Sequence, residues 1–319
     1  MKGNPLFYWA AGLLLLAGLV QGLTQDPESS EDPRLGQPLV SNPQVAQMDR
    51  LVLQGPQGTI TIQKQGEQWQ LAERQFPADA GKLRRLMAQL SQAQVSFLVS
   101  DQAESLERLE LGPGQGTLVQ LYEGDKLLAQ LQVGAFRPPA QGPADDADGT
   151  YVRLGDQAYL VKETLSPPVE VQSWLADQLA ALPEVQIKSL SGPGWSVSRP
   201  DDQQPWRDSS GKELAPGALA GPLRLLSNWR FTEAIPLEQI DRTRYLAPQV
   251  GSVTTFGGAR LEFSFLGSKQ GPEPGLLLVT PQATGGQVFA LAHQLAPKWA
   301  FVVPAWQRAT WTERPSTMP

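Results

Sequence analysis

The chain has 319 residues and a formal net charge of −6, with one His and no Cys. The absence of Cys rules out disulfides, thiolate metal ligands and Cys nucleophiles. No basic stripe is visible, so nucleic acid is not an expected partner, because that binding rests on Lys and Arg neutralising phosphates. The one histidine, His293, lies in the apolar stretch VFALAHQLA and is expected to be structural rather than catalytic.

The amino-terminal segment is apolar and uncharged over residues 6–23, which is just long enough to cross a bilayer as a helix. Lys2 precedes this run and acidic residues follow it, which favours a cytoplasmic amino terminus. We therefore predict a single-pass protein of the bacterial inner membrane, with the bulk of the chain in the periplasm. A cleaved signal peptide ending near Gly22 is the alternative, and it also exports the chain.

The rest of the chain predicts a tether followed by two folded units. Prolines 27, 33, 38 and 43 lie among polar residues, so residues 24–48 are expected to form an extended linker behind the anchor at residues 1–23. The first α+β unit is predicted at residues 49–183 and the second at 184–311, and residues 312–319 form a C-terminal tail.

The first unit reads as short strands with a covering helix. RLVLQ, TITIQK and QWQLAE alternate with turn residues and predict a β meander. A helix is expected to begin at Pro77–Asp79 and to run through Ser91, and the strand VSFLVS follows it. GTLVQLY with KLLAQLQV, and TYVRL with QAYLV, predict two hairpins. A last helix is expected after Pro167 and Pro168, with an apolar stripe at Val171, Trp174, Leu175, Leu179 and Leu182.

The second unit repeats the same order of elements. A helix is expected from Leu214 to Asn228, with strands before it and a strand and hairpin after it. A shift of about 134 positions aligns Phe97 with Phe231, Leu106 with Ile240, Leu127 with Leu261 and Leu131 with Phe265. The predicted fold class is α+β, with two similar units of mainly antiparallel sheet and covering helices, preceded by one transmembrane helix.

Several of these segments together resemble a known bacterial family. They are TITIQKQGEQWQLAE, PADAGKLRRLMAQLSQAQV, VSDQAESLERLELG, YVRLGDQAYLV and SPPVEVQSWLADQLAAL. The chain resembles the domain of unknown function 4340 family over about residues 51–190. The resemblance implies an exported, membrane-anchored α+β protein, often encoded beside ABC-type transporter components. It implies no activity and no catalytic residues.

Three patterns in the sequence bear on sites of chemistry. Asp145, Asp146 and Asp148 before Gly149 suggest a calcium loop, but the later bidentate ligand is missing, so a solvated loop is favoured. The glycines of LGPGQGT lack the spacing of a nucleotide-binding fingerprint. Dispersed carboxylates leave a hydrolase as a minor alternative.

The three tryptophans near the C-terminus lie in KWAFVVPAWQRATWTERP, which reads as a final strand interrupted by Pro304. Trp299, Trp306 and Trp311 are expected either to complete the core and cover a sheet edge or to form a partner surface.

The function predicted from these features is that of a noncatalytic, membrane-anchored periplasmic subunit that acts through protein-protein contacts in a membrane complex. The family resemblance implies that this complex is associated with an ABC transporter. The expected partners are the inner membrane, through residues 6–23, and a membrane protein. A periplasmic module that binds a glycan or a small ligand is the alternative. No catalytic residue, cofactor or metal site is predicted.

Overall fold

The computed structural model describes residues 32–138, 148–271, 274–280 and 287–317. The predicted transmembrane helix at residues 6–23 lies outside these ranges. Within them, no helix combines the length and the apolar character needed to span a membrane. The chain divides into two compact units, the first ending at Ser173 and the second beginning at Trp174. Both units are α+β, built mainly from antiparallel strands.

The first unit contains three described helices and nine strands. The helices are α1 (Asn42–Gln47), α2 (Ala80–Gln92) and α3 (Ala103–Arg108). The strands are β1 (Arg50–Gly55), β2 (Gly58–Gln65), β3 (Gln68–Leu71), β4 (Phe76–Pro77), β5 (Val95–Ser100), β6 (Thr117–Glu123), β7 (Lys126–Arg137), β8 (Gly149–Leu154) and β9 (Gln157–Val161).

These nine strands form one antiparallel sheet in the order β4-β3-β2-β1-β6-β7-β8-β9-β5. Helix α2 lies between β4 and β5 in the chain and confirms the predicted helix. The carboxylate of Asp79 caps it by accepting hydrogen bonds from the backbone amides of Gly81 and Lys82, at 2.8 and 3.0 Å. The buried side chains of the helix follow three- and four-residue steps: Leu83, Leu86, Met87 and Leu90.

The second unit contains three described helices and ten strands. The helices are α4 (Ala220–Ser227), α5 (Ala290–Leu295) and α6 (Ala305–Thr312). The strands are β10 (Gln178–Ala180), β11 (Ile187–Gly192), β12 (Trp195–Ser198), β13 (Arg207–Asp208), β14 (Trp229–Arg230), β15 (Glu233–Pro236), β16 (Gln249–Thr255), β17 (Arg260–Leu266), β18 (Gly275–Thr280) and β19 (Trp299–Val303).

The predicted repeat is confirmed by the strand order of the two large sheets. The second sheet runs β13-β12-β11-β16-β17-β18-β19-β15, which is the order of the first sheet from β3 to β5 when strands are matched along the chain. The first hairpin of each unit also turns at a Gly-Pro pair, Gly55-Pro56 in one and Gly192-Pro193 in the other. The two units therefore share one topology.

The single shift of 134 positions holds for only part of the repeat. Val119 pairs with Leu131 across the β6-β7 hairpin, whereas Val253 pairs with Leu261 across β16-β17, so the second hairpin is shorter. Leu131 thus corresponds to Leu261 and not to Phe265. Leu127, which the shift aligned with the buried Leu261, is 46% exposed.

The helix predicted after Pro167 and Pro168 does not form. A 3-10 turn covers Val171–Trp174, and β10 then pairs with β14. The amide of Leu182 donates to Leu226 O at 2.9 Å. Trp174, Leu175, Leu179 and Leu182 of the predicted stripe are buried and Val171 is partly buried, and the second compact unit begins at Trp174.

Residues 32–48 differ from the extended tether that their prolines predict. Val40 is fully buried, and Leu39 and Met48 are nearly so. The amide of Leu39 donates to Ala93 O at 3.0 Å, and Pro38 forms a bridge with Gln94. Burial of these few apolar side chains, together with the backbone pairing, attaches this segment to the first unit.

The first described residues are held by Tyr159 on β9. Its hydroxyl donates to Asp32 Oδ2 at 2.5 Å, and Arg34 donates to Leu154 O at 2.5 Å. The hydrogen bond from Tyr159 lowers the pKa of Asp32, whereas burial and the same hydrogen bond raise the pKa of Tyr159. Both shifts favour a phenol that donates to a carboxylate.

We predict that Tyr159→Phe releases residues 32–35 from the sheet, because it removes the hydroxyl that binds Asp32. Limited trypsin digestion of the full chain, followed by mass spectrometry, should show faster cleavage after Arg34. Tyr151→Phe on the neighbouring strand β8 is the matched control and should digest like the wild type. Equal cleavage rates in all three proteins would contradict a role for this hydroxyl.

Candidate functional site

The most unusual surface of the first unit is its outer strand β5, which is one edge of the nine-stranded sheet. Three consecutive apolar side chains on this strand are exposed: Phe97 by 52%, Leu98 by 47% and Val99 by 40%. The strand reads VSFLVS and contains no charge and no proline. Its register against β9 shifts twice. An exposed apolar edge strand is a ready template for another strand.

The other three edges of the two large sheets are protected. Strand β4 has two buried residues and ends at Pro77. Strand β13 consists of Arg207 and Asp208, and a turn covers it because Asp208 N donates to Lys212 O at 2.9 Å. Strand β15 begins with Glu233 and ends with Pro236. Charges, prolines and short length are the usual means of blocking edge pairing, and β5 lacks the first two.

Part of the β5 edge is already occupied by the chain itself. The amide of Gly36 donates to Val95 O at 2.8 Å, and the amide of Val95 donates to Gln37 O at 3.0 Å. The segment that precedes α1 therefore pairs with the beginning of β5 in the manner of an added strand. In the described residues this pairing stops at Val95, and the apolar stretch from Ser96 to Ser100 follows.

The three C-terminal tryptophans do not form one surface. Residues 305–312 form helix α6, with Pro304 at its N-cap, where the sequence predicted a strand-like run interrupted by Pro304. Trp311 is fully buried, Trp299 is 8% exposed and Trp306 is 57% exposed. A strand followed by a helix turns Trp299 and Trp311 into the core, which fits the first of the two expected alternatives, and only Trp306 is left at the surface.

Trp311 lies at the centre of an aromatic cluster in the second unit. The centroid of its ring lies 4.9 Å from the ring centroid of Phe263, 6.1 Å from that of Trp229 and 6.0 Å from that of Trp195. Its indole N–H donates to Ser191 O at 2.8 Å. Nearby, the buried Gln307 accepts from the Trp229 indole at 2.9 Å and attaches α6 to β14.

The acidic loop suggested as a calcium site is only partly described. Asp145 and Asp146 lie outside the described residues, and Asp148 is exposed. Gly149 begins β8 with a φ of 150°, and a Cβ there would overlap the carbonyl oxygen of Val161. The close approach of β9 thus explains this glycine without a metal. In the described part of the chain, no group of three or more His, Cys, Asp or Glu side chains could hold a metal ion.

His293 lies on α5 with one ring nitrogen bound to the backbone. Its Nε2 is 3.0 Å from Arg260 O, so this nitrogen carries the proton that is donated. The ring also packs edge-on to Phe289, with centroids 6.3 Å apart. These contacts attach α5 to β17.

A pocket of about 380 Å³ lies in the second unit beside α4. Its walls are mostly apolar, and three of its side chains are polar or aromatic: Glu184, Trp206 and Glu213. The indole N–H of Trp206 donates to Glu184 Oε1 at 3.3 Å, and the Arg199 guanidinium lies over the Trp206 ring at 4.6 Å. Glu213 pairs with Arg207 at 3.6 Å. Glu184 pairs with Arg199 at 3.9 Å, so both carboxylates already have cationic neighbours.

Neither the β5 edge nor the pocket beside α4 is marked by a clear sequence pattern. The β5 edge carries a weak signal, since three successive apolar residues depart from the alternation of a half-buried strand. That pattern is equally typical of a strand buried on both faces. The pocket is formed by residues from separate segments, and no local motif marks it.

A model of the family described as Domain of unknown function (DUF4340) matches residues 69–245, more than half of the chain. The match begins in β3 of the first unit and extends past β15 of the second. No curated protein and no solved structure matches the chain.

We predict that Trp311→Ala lowers the free energy of unfolding by about 3 to 5 kcal/mol, since it leaves a cavity among three rings and removes the indole hydrogen bond to Ser191 O. Trp306→Ala, on the same helix, should change it by less than about 0.5 kcal/mol because its side chain is exposed. Denaturant titration of both variants measures the difference. Similar losses in the two proteins would contradict the assignment of one tryptophan to the core and the other to the surface.

Proposed function

The chain belongs to the family described as Domain of unknown function (DUF4340), and from this premise we propose that it is a noncatalytic subunit anchored in the bacterial inner membrane, which acts in the periplasm through protein-protein contacts. The β5 edge is the observation that carries the proposal. It presents Phe97, Leu98 and Val99 to solvent on a strand without charge. Large exposed apolar surfaces on folded proteins mark interaction sites.

The remaining support comes from the sequence. Residues 6–23 are apolar and uncharged, with Lys2 before them and an acidic segment after them. Such a helix would hold the folded units at the membrane surface and orient them toward the periplasm. The complex would be a membrane complex of the ABC-transporter type that the family resemblance implies.

The absence of cysteine from the natural chain permits a sharp test in cells. In the native host, with the outer membrane opened osmotically and the inner membrane intact, a membrane-impermeant maleimide should label Leu127→Cys but not Leu98→Cys. Both side chains are exposed to a similar degree in the folded unit, at 46% and 47%. Contact with a partner would protect only the position on β5. Labelling in denaturant normalises the two signals.

Two results would count against the proposal, each against a different part of it. Equal labelling of the two variants would mean that the β5 edge is not covered in cells. Labelling of Leu127→Cys only after the inner membrane is broken would place the folded units in the cytoplasm.

A second candidate function is the binding of a small periplasmic ligand, and the pocket beside α4 favours it. The half-buried Trp206 lines this pocket, and its ring is fixed by the hydrogen bond to Glu184. A fixed aromatic side chain in an apolar recess is typical of small-molecule sites and of sugar-stacking sites.

For this second function we predict that soluble cell-wall glycan fragments change the tryptophan emission of the full chain by acting on Trp206. The change should disappear in Trp206→Phe and persist in Trp306→Phe, because the second indole lies outside the pocket. Fluorescence titration of the three proteins measures it. An unchanged emission spectrum at all fragment concentrations would remove the glycan as a ligand.

A further inference from the structure

We propose that the partner of the β5 edge is the same edge of a second copy of this chain, paired antiparallel about a twofold axis at Leu98. This inference rests on the proposed function, in that β5 must be a contact surface. It adds the identity of the occupant and the register of the contact.

The length of the open edge fixes the position of the axis. The chain's own residues occupy the edge as far as Val95, through the hydrogen bonds of Gly36 and Gln37. Strand β5 ends at Ser100. Among the residues that the structure describes, the stretch left open therefore runs from Ser96 to Ser100, and its midpoint is Leu98. An antiparallel pair centred there uses the whole stretch in both copies, and its two halves are identical as a twofold interface requires.

The side chains in this register are complementary to themselves. Leu98 meets Leu98, Phe97 meets Val99, and Ser96 meets Ser100. Pairs of an aromatic with a β-branched residue, and pairs of hydroxyl residues, are among those that stabilise antiparallel strands. No charge lies on the strand, so two copies meet without like-charge repulsion even though each chain carries a formal charge of −6.

The second unit offers a contrast within the same molecule. Its matching edge strand, β15, has Glu233 at one end and Pro236 at the other. Proline has no backbone N–H, so self-pairing of β15 would lack a ladder hydrogen bond at Pro236. The two units share a topology, so the capacity for self-pairing belongs to the residues of β5 and not to the fold.

The test is disulfide cross-linking of single-cysteine variants of the full chain in its own membranes. Under mild oxidation Leu98→Cys should form a covalent dimer, seen as a doubled mass on a nonreducing gel. Leu127→Cys, which lies on β7 with two strands between it and β5, should stay monomeric. The cross-link is expected because residues opposite each other across a twofold have Cα atoms within disulfide range.

The register is tested with the neighbouring positions. Co-expressed Phe97→Cys and Val99→Cys chains should cross-link to each other more than either does to itself, since these residues lie opposite each other. Cross-linking of Leu98→Cys no greater than that of Leu127→Cys would overturn the proposal. A Leu98→Cys side chain that is protected in cells but cross-links only to a different polypeptide would also overturn it, while leaving the proposed function intact.

Discussion

Every open β-sheet leaves a row of unpaired amides and carbonyls at each of its two outer strands, and this constraint decides which surface of the protein is available for contact. The two large sheets have four such strands. Three of them are shortened, charged or ended by proline, as at Pro77, Arg207 and Pro236. The fourth, β5, exposes Phe97 and Leu98 without these means of protection. An exposed apolar edge of this kind is a ready template for pairing with another strand.

A comparison of the two units shows which features of an edge strand follow from the shared topology and which depend on its residues. Both units place the corresponding edge strand beside the last strand of the sheet, β5 beside β9 and β15 beside β19. In the second unit Phe231, just before β15, is buried against Phe301 at 4.8 Å. In the first unit Phe97, the residue that a shift of 134 positions aligns with it, is exposed. The same architecture thus gives a closed edge in one copy and an open edge in the other, so the open edge is not a structural necessity.

Local signals predicted the parts of the fold that depend on local physics. The Asp79 cap and the apolar spacing of α2 identified that helix, and turn residues identified the hairpins. The stripe that includes Trp174 failed as a helix because β10 pairs with β14, a partner distant in sequence. The sequence did not decide whether Trp311 is buried, because the segment after Pro304 buries different side chains as a strand than as a helix. For β5, the same six residues would suit a strand buried on both faces, and only the sheet order shows that it is an edge.

Residues 32–40 bind to the first unit, and the way they bind also determines how much of the β5 edge they cover. The chain pairs with Val95 through Gly36 and then leaves the sheet edge in a turn, for which the φ of 74° at Gly36 suits glycine. Tyr159 holds the other side of that turn through Asp32. If the segment continued straight, it would run antiparallel along β5 and cover Leu98. The turn that binds Asp32 to β9 therefore also keeps the described part of this segment away from the apolar part of β5.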